Sequence, residues 1–273
     1  MEFSVCLVQM PCVEGDRKPN FERARWLLQN HEPRTEREFV VLPELFAIGF
    51  RHTDYATVGP GVNGETEDFL HDLAAETGTY VVTTDIEEHG EKYFNTLMMA
   101  SPQGKTIAKY RKVHPFQQER DVFDGGDTLV LATVKGMKVG LEICYDIRFP
   151  ELTRRLALEG AQLVIVPGAF PDPRSHHWDT LLLARAIENQ LYVAAANRVG
   201  RSFDGKTYFG HSQFVDPWGV RATRMNSEER VIRDTGDTNA VESARAQITC
   251  YEDRVPGAYE RVRHHNDQGT SVK

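Results

Sequence analysis

No run in this 273-residue chain approaches the ~20 apolar residues that a membrane-spanning helix needs. The N-terminus, Met1-Glu2-Phe3-Ser4-Val5, lacks a basic stretch followed by an apolar one, so no secretory signal is expected. Cysteine is scarce: Cys6, Cys12, Cys144 and Cys250 form no CxxC pair. Neither a disulfide framework nor a metal site is expected, and a reducing cytoplasm is the expected compartment. Positive charge is short as well. The 32 Lys and Arg against 40 Asp and Glu give a net charge of −8, with no basic stripe, which argues against nucleic acid as a partner. No short repeat is evident. What remains, 40% hydrophobic and 26% charged residues, is ordinary for a soluble globular protein, here read as a single domain over 1–273.

Strand and helix patterns alternate along the chain. Phe3 to Gln9, Phe39 to Leu42, Tyr80 to Thr84, Leu163 to Pro167 and Tyr192 to Ala196 read as strands. Three hairpins are expected: Tyr93–Ala100 with Ile107–Tyr110, Leu129–Val134 with Met137–Ile143, and His211–Val215 with Val220–Thr223. Helical spacing marks a helix capped by Asn20, then Thr66 to Thr77, Glu151 to Leu158 and Trp178 to Gln190. These elements make a core over about 3–223. Residues 224–244 are polar and aperiodic and read as an irregular segment. A last strand (Gln247–Tyr251), a last helix (Glu252–His264) and a frayed tail (Gly269–Lys273) follow. Alternating βαβ material predicts an α/β sandwich.

Three chemistry-bearing residues each end an apolar strand: Glu44, Lys112 and Cys144. In α/β folds, sites gather beyond such ends. Each has a plain alternative: a solvated carboxylate, a surface cation beside Arg111, and a small buried thiol. Together their jobs are complementary. A thiolate attacks, a water-shielded carboxylate moves the proton, and a fixed cation holds an oxyanion.

Pro43-Glu44-Leu45, Tyr110-Arg111-Lys112-Val113-His114 and the stretch from Gly140 to Glu151 resemble the three signature motifs of the nitrilase superfamily of carbon–nitrogen hydrolases. The likeness runs from about Val5 to Gly219. CYDIRFPEL, PGAF, HW and RAIENQ resemble the ω-amidase and deaminated-glutathione-amidase branch. The segment Arg224 to Ala244 departs from the family pattern. The resemblance implies a four-layer αββα sandwich, with Glu44 as base, Lys112 as oxyanion stabiliser and Cys144 as nucleophile. It implies the Tyr145 backbone N–H as second oxyanion donor, Glu119 as a further acid, and a homodimer or larger assembly. The expected substrate is a small carboxylate-bearing molecule with a terminal amide, such as 2-oxoglutaramate. No metal or organic cofactor is required.

Arg148, Arg174, His176, His177 and Arg198 are candidates to meet the substrate carboxylate, with helix capping and packing as the alternative for His177; Phe170 and Trp178 are candidates to wall the pocket, with plain core packing as the alternative for both. Arg185 and Glu188, three apart on one helix, read as a structural ion pair. The competing readings are an N-carbamoyl-amine hydrolase, an aliphatic amidase or a nitrilase of the same superfamily. Further off stand a Cys–His hydrolase using His114 or His211, and a non-catalytic interaction module on this fold.

Overall fold

Side chains along the first strand point alternately to two faces, and that period of two decides the layering. In chain order the elements are β1 (Glu2–Gln9), α1 (Arg17–Leu28), β2 (Glu38–Val41), α2 (Tyr55–Val58), α3 (Glu65–Thr77), β3 (Tyr80–His89), β4 (Lys92–Ser101) and β5 (Lys105–Arg111). Then come β6 (Leu131–Val134), β7 (Met137–Leu141), α4 (Pro150–Leu158), β8 (Leu163–Gly168), α5 (Ser175–Asn189), β9 (Tyr192–Asn197), β10 (Val199–Arg201) and β11 (Thr207–Phe209). The chain closes with β12 (Gln213–Val215), β13 (Arg221–Arg224), β14 (Arg230–Asp237), α6 (Thr238–Gln247) and α7 (Pro256–Tyr259). The structure, a computed structural model, describes residues 1–224, 226–262, 264–265 and 271–272.

Two six-stranded sheets form, in the orders β14-β1-β2-β3-β4-β5 and β13-β12-β9-β8-β7-β6. In each, three parallel strands lie at the centre, β1 to β3 and β7 to β9, with antiparallel strands outside them. Strands buried on both faces read as near-continuous apolar runs, and β2 (Glu38-Phe39-Val40-Val41, its one carboxylate hydrogen-bonded by Ser4) and β8 (Leu163 to Gly168) are buried at every position. Phe3, Val5 and Leu7 of β1 pack inward with Val139, Leu141 and Ile165 of the second sheet. Cys6 and Val8, on the opposite face, meet Ala24 and Leu28 of α1 and Leu70 and Leu73 of α3. Helices α4 and α5 contact β7 and β9 on the outer side of the second sheet. The layers are therefore αββα, as the motifs implied.

The topology also gathers the strand ends. β5 runs antiparallel to β4, and β4 antiparallel to β3, which is parallel to β2. The C-terminal ends of β2 and β5 thus share one edge of the first sheet, and Glu44 and Lys112 lie just past them.

Four expectations need correction. Residues 230–247 are not irregular: β14 pairs with the whole of β1, from Glu2↔Asp237 to Gln9↔Arg230, and α6 follows. This edge strand buries only Ile232 and Gly236, so its sequence carries little apolar pattern. Gly236 is required there, because a Cβ would lie 2.4 Å from the Phe3 ring. Gln247–Tyr251 is the end of α6 and a turn, not a strand. The expected Glu252–His264 helix is one turn, α7, since Pro256 cannot continue a helix from before it. Asn20 is not the cap of α1; Asp16 caps it, accepting from the Lys18 N–H, while the buried Asn20 amide donates to the Val13, Asp16 and Ala47 carbonyls. Of the expected tail, Ser271–Val272 pairs with His264–His265, and Gly269, Thr270 and Lys273 lie outside the described residues.

Candidate active site

Glu44 follows β2 and is 1% exposed. The next residue, Leu45, takes the left-handed backbone conformation (φ 47°), and its N–H donates to Thr84 Oγ1 at 2.9 Å. Thr83 Oγ1 donates to the Pro43 carbonyl at 2.9 Å. Both β3 threonines thus pin the turn that carries the carboxylate.

Lys112 follows β5 and is 1% exposed. Its N–H donates to the Asn95 carbonyl and its own carbonyl accepts from the Gly126 N–H. The ammonium lies 2.7 Å from Glu44 Oε1 and 2.8 Å from Glu119 Oε2. Glu119 sits on a 3₁₀ turn, Gln117–Asp121, and also accepts from the Phe116 N–H. An ammonium has three donors. Two are taken by these carboxylates, and one is left for a third partner.

Cys144 opens the 3₁₀ turn Cys144–Arg148 beyond β7, also in the left-handed region (φ 44°). A non-glycine residue held there is strained, and such strain concentrates at working sites. Its thiol faces Glu44 and the Ala169 N–H. The Tyr145 N–H, second in that turn, has no acceptor within it.

The turn is braced from below by Asp146, which is fully buried. Asp146 Oδ2 accepts from the Ile143 N–H (3.0 Å) and from Tyr110 Oη (2.8 Å). Asp146 Oδ1 accepts from the His114 N–H (3.2 Å) and lies 2.8 Å from His114 Nδ1. Tyr110 and His114 flank Lys112, so one carboxylate ties the lysine segment of the first sheet to the cysteine turn of the second.

Electrostatics follow from burial. Desolvation raises the Cys144 thiol well above its ordinary value, and the Glu44 charge adds to this. Desolvation likewise raises the Glu44 carboxyl, against the pull of Lys112. Burial works against the Lys112 ammonium, yet Glu119 and Glu44 outweigh it and hold its pKa above the usual lysine value. Lys112 therefore stays charged, while Glu44 and Cys144 are poised to exchange one proton. Burial also pushes Glu142, two residues before Cys144, up to about 8, against a hydrogen bond from Thr153.

A cavity of about 210 Å³ opens onto Cys144. Phe116, Glu119, Arg148, Phe170 and Arg174 line it, with Phe203, Asp204 and Lys206 also on its wall. The Arg148 guanidinium lies over the Phe170 ring at 5.1 Å, and that of Arg174 over Phe116 at 5.3 Å. Among the described residues neither forms an ion pair with a carboxylate.

The structure brings together Glu44, Lys112, Glu119, Cys144, Tyr145, Arg148, Arg174 and Phe170. It does not bring His177, Trp178, His176 or Arg198 to the cavity. His177 is exposed, with Nδ1 3.1 Å from Arg148 Nη2. Trp178 is fully buried behind Phe170, at 5.4 Å between ring centroids. Arg198 is buried against Glu14 at 2.8 Å. One face of α5 packs inward while its other face is exposed, and the spacing gave no phase for either. Arg185 and Glu188 do pair, at 2.7 Å, and Arg185 Nε donates to the Ile147 carbonyl under the cysteine turn. His114 is engaged by Asp146 and stacks on Phe149 at 3.5 Å, and His211 lies 3.2 Å from Asp179. Sequence reasoning missed Asn95, the Ala169 N–H and the Asp146 brace. A polar residue inside an apolar strand was the available signal for Asn95.

Cys6, His31 and Glu38 also cluster, away from this cavity. Glu38 already accepts from Ser4 Oγ and the Arg34 N–H and lies 3.4 Å from Arg233, so the group is a hydrogen-bonded cluster with a cation in place.

The carbon-nitrogen hydrolase family model matches residues 4–246. An omega-amidase of Xenopus laevis, NIT2-A, is 33% identical over 94% of this chain and 97% of its own length. The 2-oxoglutaramate amidase of Bacillus subtilis is 30% identical over 93% of this chain and 98% of its own. Among solved structures, a CN-hydrolase superfamily protein of Xanthomonas campestris superposes with a TM-score of 0.87 at 28% identity, covering 93% of this chain and 98% of its own. Saccharomyces cerevisiae Nit3, of the nitrilase superfamily, superposes with a TM-score of 0.80 at 30% identity, covering 90% and 94%.

Proposed function

From the premise that this chain belongs to the carbon–nitrogen hydrolase family, we propose that Glu44, Lys112 and Cys144 carry out the hydrolysis of a terminal amide on a small carboxylate-bearing substrate of the 2-oxoglutaramate kind. The protein is an amidohydrolase acting on non-peptide linear amides. The observation that carries the assignment of roles is the single ammonium bridging Glu44 and Glu119 beside a buried thiol.

Glu44 Oε2 takes the thiol proton as Cys144 sulfur attacks the amide carbon. The carbonyl oxygen becomes an oxyanion, held by the remaining Lys112 N–H and the Tyr145 N–H. The C–N bond breaks, nitrogen takes the proton from Glu44, and ammonia leaves a thioester on Cys144. Glu44 then deprotonates water, which attacks the thioester. The carboxylic acid departs and the thiolate regains its proton. Glu119 keeps Lys112 charged and in place. His177 and Trp178 act at one remove, holding Arg148 and backing Phe170.

Two guanidiniums that pair with no carboxylate among the described residues, on the wall of a cavity that opens onto Cys144, suit a substrate carboxylate. Ammonia release is to be measured on 2-oxoglutaramate, on its carboxylate-free analogue, and on a carbamoyl amine and an aliphatic nitrile. Arg148→Met and Arg174→Met are expected to raise KM for the charged amide roughly tenfold to a hundredfold each, with kcat little changed. Hydrolysis of the uncharged amide should not respond. Equal activity on both amides in the wild type refutes the carboxylate reading, and preference for the nitrile or carbamoyl compound assigns a neighbouring activity.

A homo-oligomer is the assembly proposed. Ile187 of α5 and Trp218 and Val220 beyond β12 are exposed together, with Ile187 against Gly219. Sedimentation should show particles larger than the 31.0 kDa chain, and a purely monomeric boundary rules this out.

A further inference from the structure

Asn95 lies in β4 and is 1% exposed, close to the apolar Phe94, Leu97 and Met98. A buried amide needs partners. Its Nδ2 donates to Glu44 Oε1 at 2.8 Å, and its main-chain carbonyl accepts from the Lys112 N–H at 2.9 Å. Lys112 Nζ donates to the same Glu44 oxygen at 2.7 Å. Asn95, Glu44 and Lys112 therefore close a ring. Asn95 Oδ1 is buried and has no hydrogen-bond partner among the described residues. An unpaired buried acceptor lowers stability, so the core gains nothing from an amide here. The N–H on Glu44 is what the residue contributes.

With Oε1 held by two donors, Oε2 accepts from the Ala169 N–H at 3.2 Å, and the Cys144 thiol hydrogen-bonds to the same carboxylate. Rotation of the carboxylate would break all three bonds. We propose that Asn95 is a positioning residue that locks the Glu44 carboxylate so that Oε2 receives the Cys144 proton. This rests on the amidohydrolase reading of the same site, and the test below needs no substrate.

A donor on the carboxylate favours its ionised form. The other groups facing Glu44 are Lys112 from the end of β5, Glu119 from its 3₁₀ turn and Cys144 from the turn after β7, with Tyr55 and Tyr208 farther away. Losing the Asn95 donor leaves all of these in place and shifts Glu44 toward its neutral form. Reactions that need ionised Glu44 then begin at higher pH.

The experiment is the rate of Cys144 alkylation by iodoacetamide across pH, followed by peptide mass, for the wild type, Asn95→Ala and Asn95→Leu. Folding of each is checked by circular dichroism. Both variants should alkylate roughly tenfold to a hundredfold more slowly below neutral pH, with the midpoint moved upward. A merely structural role predicts the opposite, because a loosened pocket exposes the thiol and speeds alkylation. Where one variant does not fold, the other decides. A folded variant with the wild-type midpoint, or with faster alkylation, overturns the proposal. If the wild type shows this pH dependence and yet hydrolyses no amide, the substrate assignment fails and the role of Asn95 stands.

Discussion

Cys144→Ala is expected to abolish ammonia release, with a fall of at least roughly 10⁴-fold in kcat, while the protein stays folded. In the proposed mechanism the sulfur accepts the acyl group, and no other described cysteine can stand in for it. Cys6 and Cys12 are buried in other parts of the core, with thiols raised by burial, to about 12 for Cys12. Cys250 lies in the turn after α6. The cost to stability is expected to be about 1 kcal/mol, because only one atom is lost, at a position that borders a cavity. Alanine inherits the same left-handed backbone as cysteine, so the strain of the turn does not change. Circular dichroism and substrate binding by calorimetry check the second half of this expectation. A variant that still turns over near the wild-type rate removes the cysteine from the chemistry.

Lys112→Ala should damage both activity and stability. One lost oxyanion donor costs roughly 3–4 kcal/mol of barrier in comparable sites. Here the same ammonium also separates two buried carboxylates, at 2.7 and 2.8 Å. Removing it leaves Glu44 and Glu119 facing each other without a counter-charge. An uncompensated buried charge costs about 3–5 kcal/mol, unless the pair takes up a proton. Burial already raises the Glu44 carboxyl, and loss of the Lys112 charge raises it further above its unfolded value, so the folded variant binds more protons than the unfolded one. Stability then falls as pH rises through the range between the two. The deficit against wild type should be smallest at acid pH and grow as pH rises. Thermal melts at several pH values check this, and a deficit independent of pH contradicts the paired-carboxylate picture.

Much of this site was legible because each residue proposed to react ends an apolar strand. Phe39 to Leu42 has no alternative to burial, so the carboxylate after it is held at a sheet edge. The same holds for Lys112 after Tyr110, and for Cys144 after Ile143. What the chain did not disclose depends on pairing across the fold. Asn95 reaches Glu44 from a strand 51 positions away, and Asp146 joins segments of two sheets. No local pattern encodes either contact. The edge strand β14 was hidden for a different reason. It is covered mainly on one side, so Arg230, Arg233 and Asp234 dilute its apolar residues. His177 and Trp178 were pocket candidates with capping and core packing as the alternative, and the helix turns them to its surface and its core.

The most direct measurement is the mass of the Cys144 peptide after acid quench during turnover of an ω-amide. The account predicts a thioester on Cys144, heavier by the acyl group and lacking the amide nitrogen, that forms and decays with turnover. Steady ammonia release with the acyl group on another residue, or on none at any quench time, would contradict it.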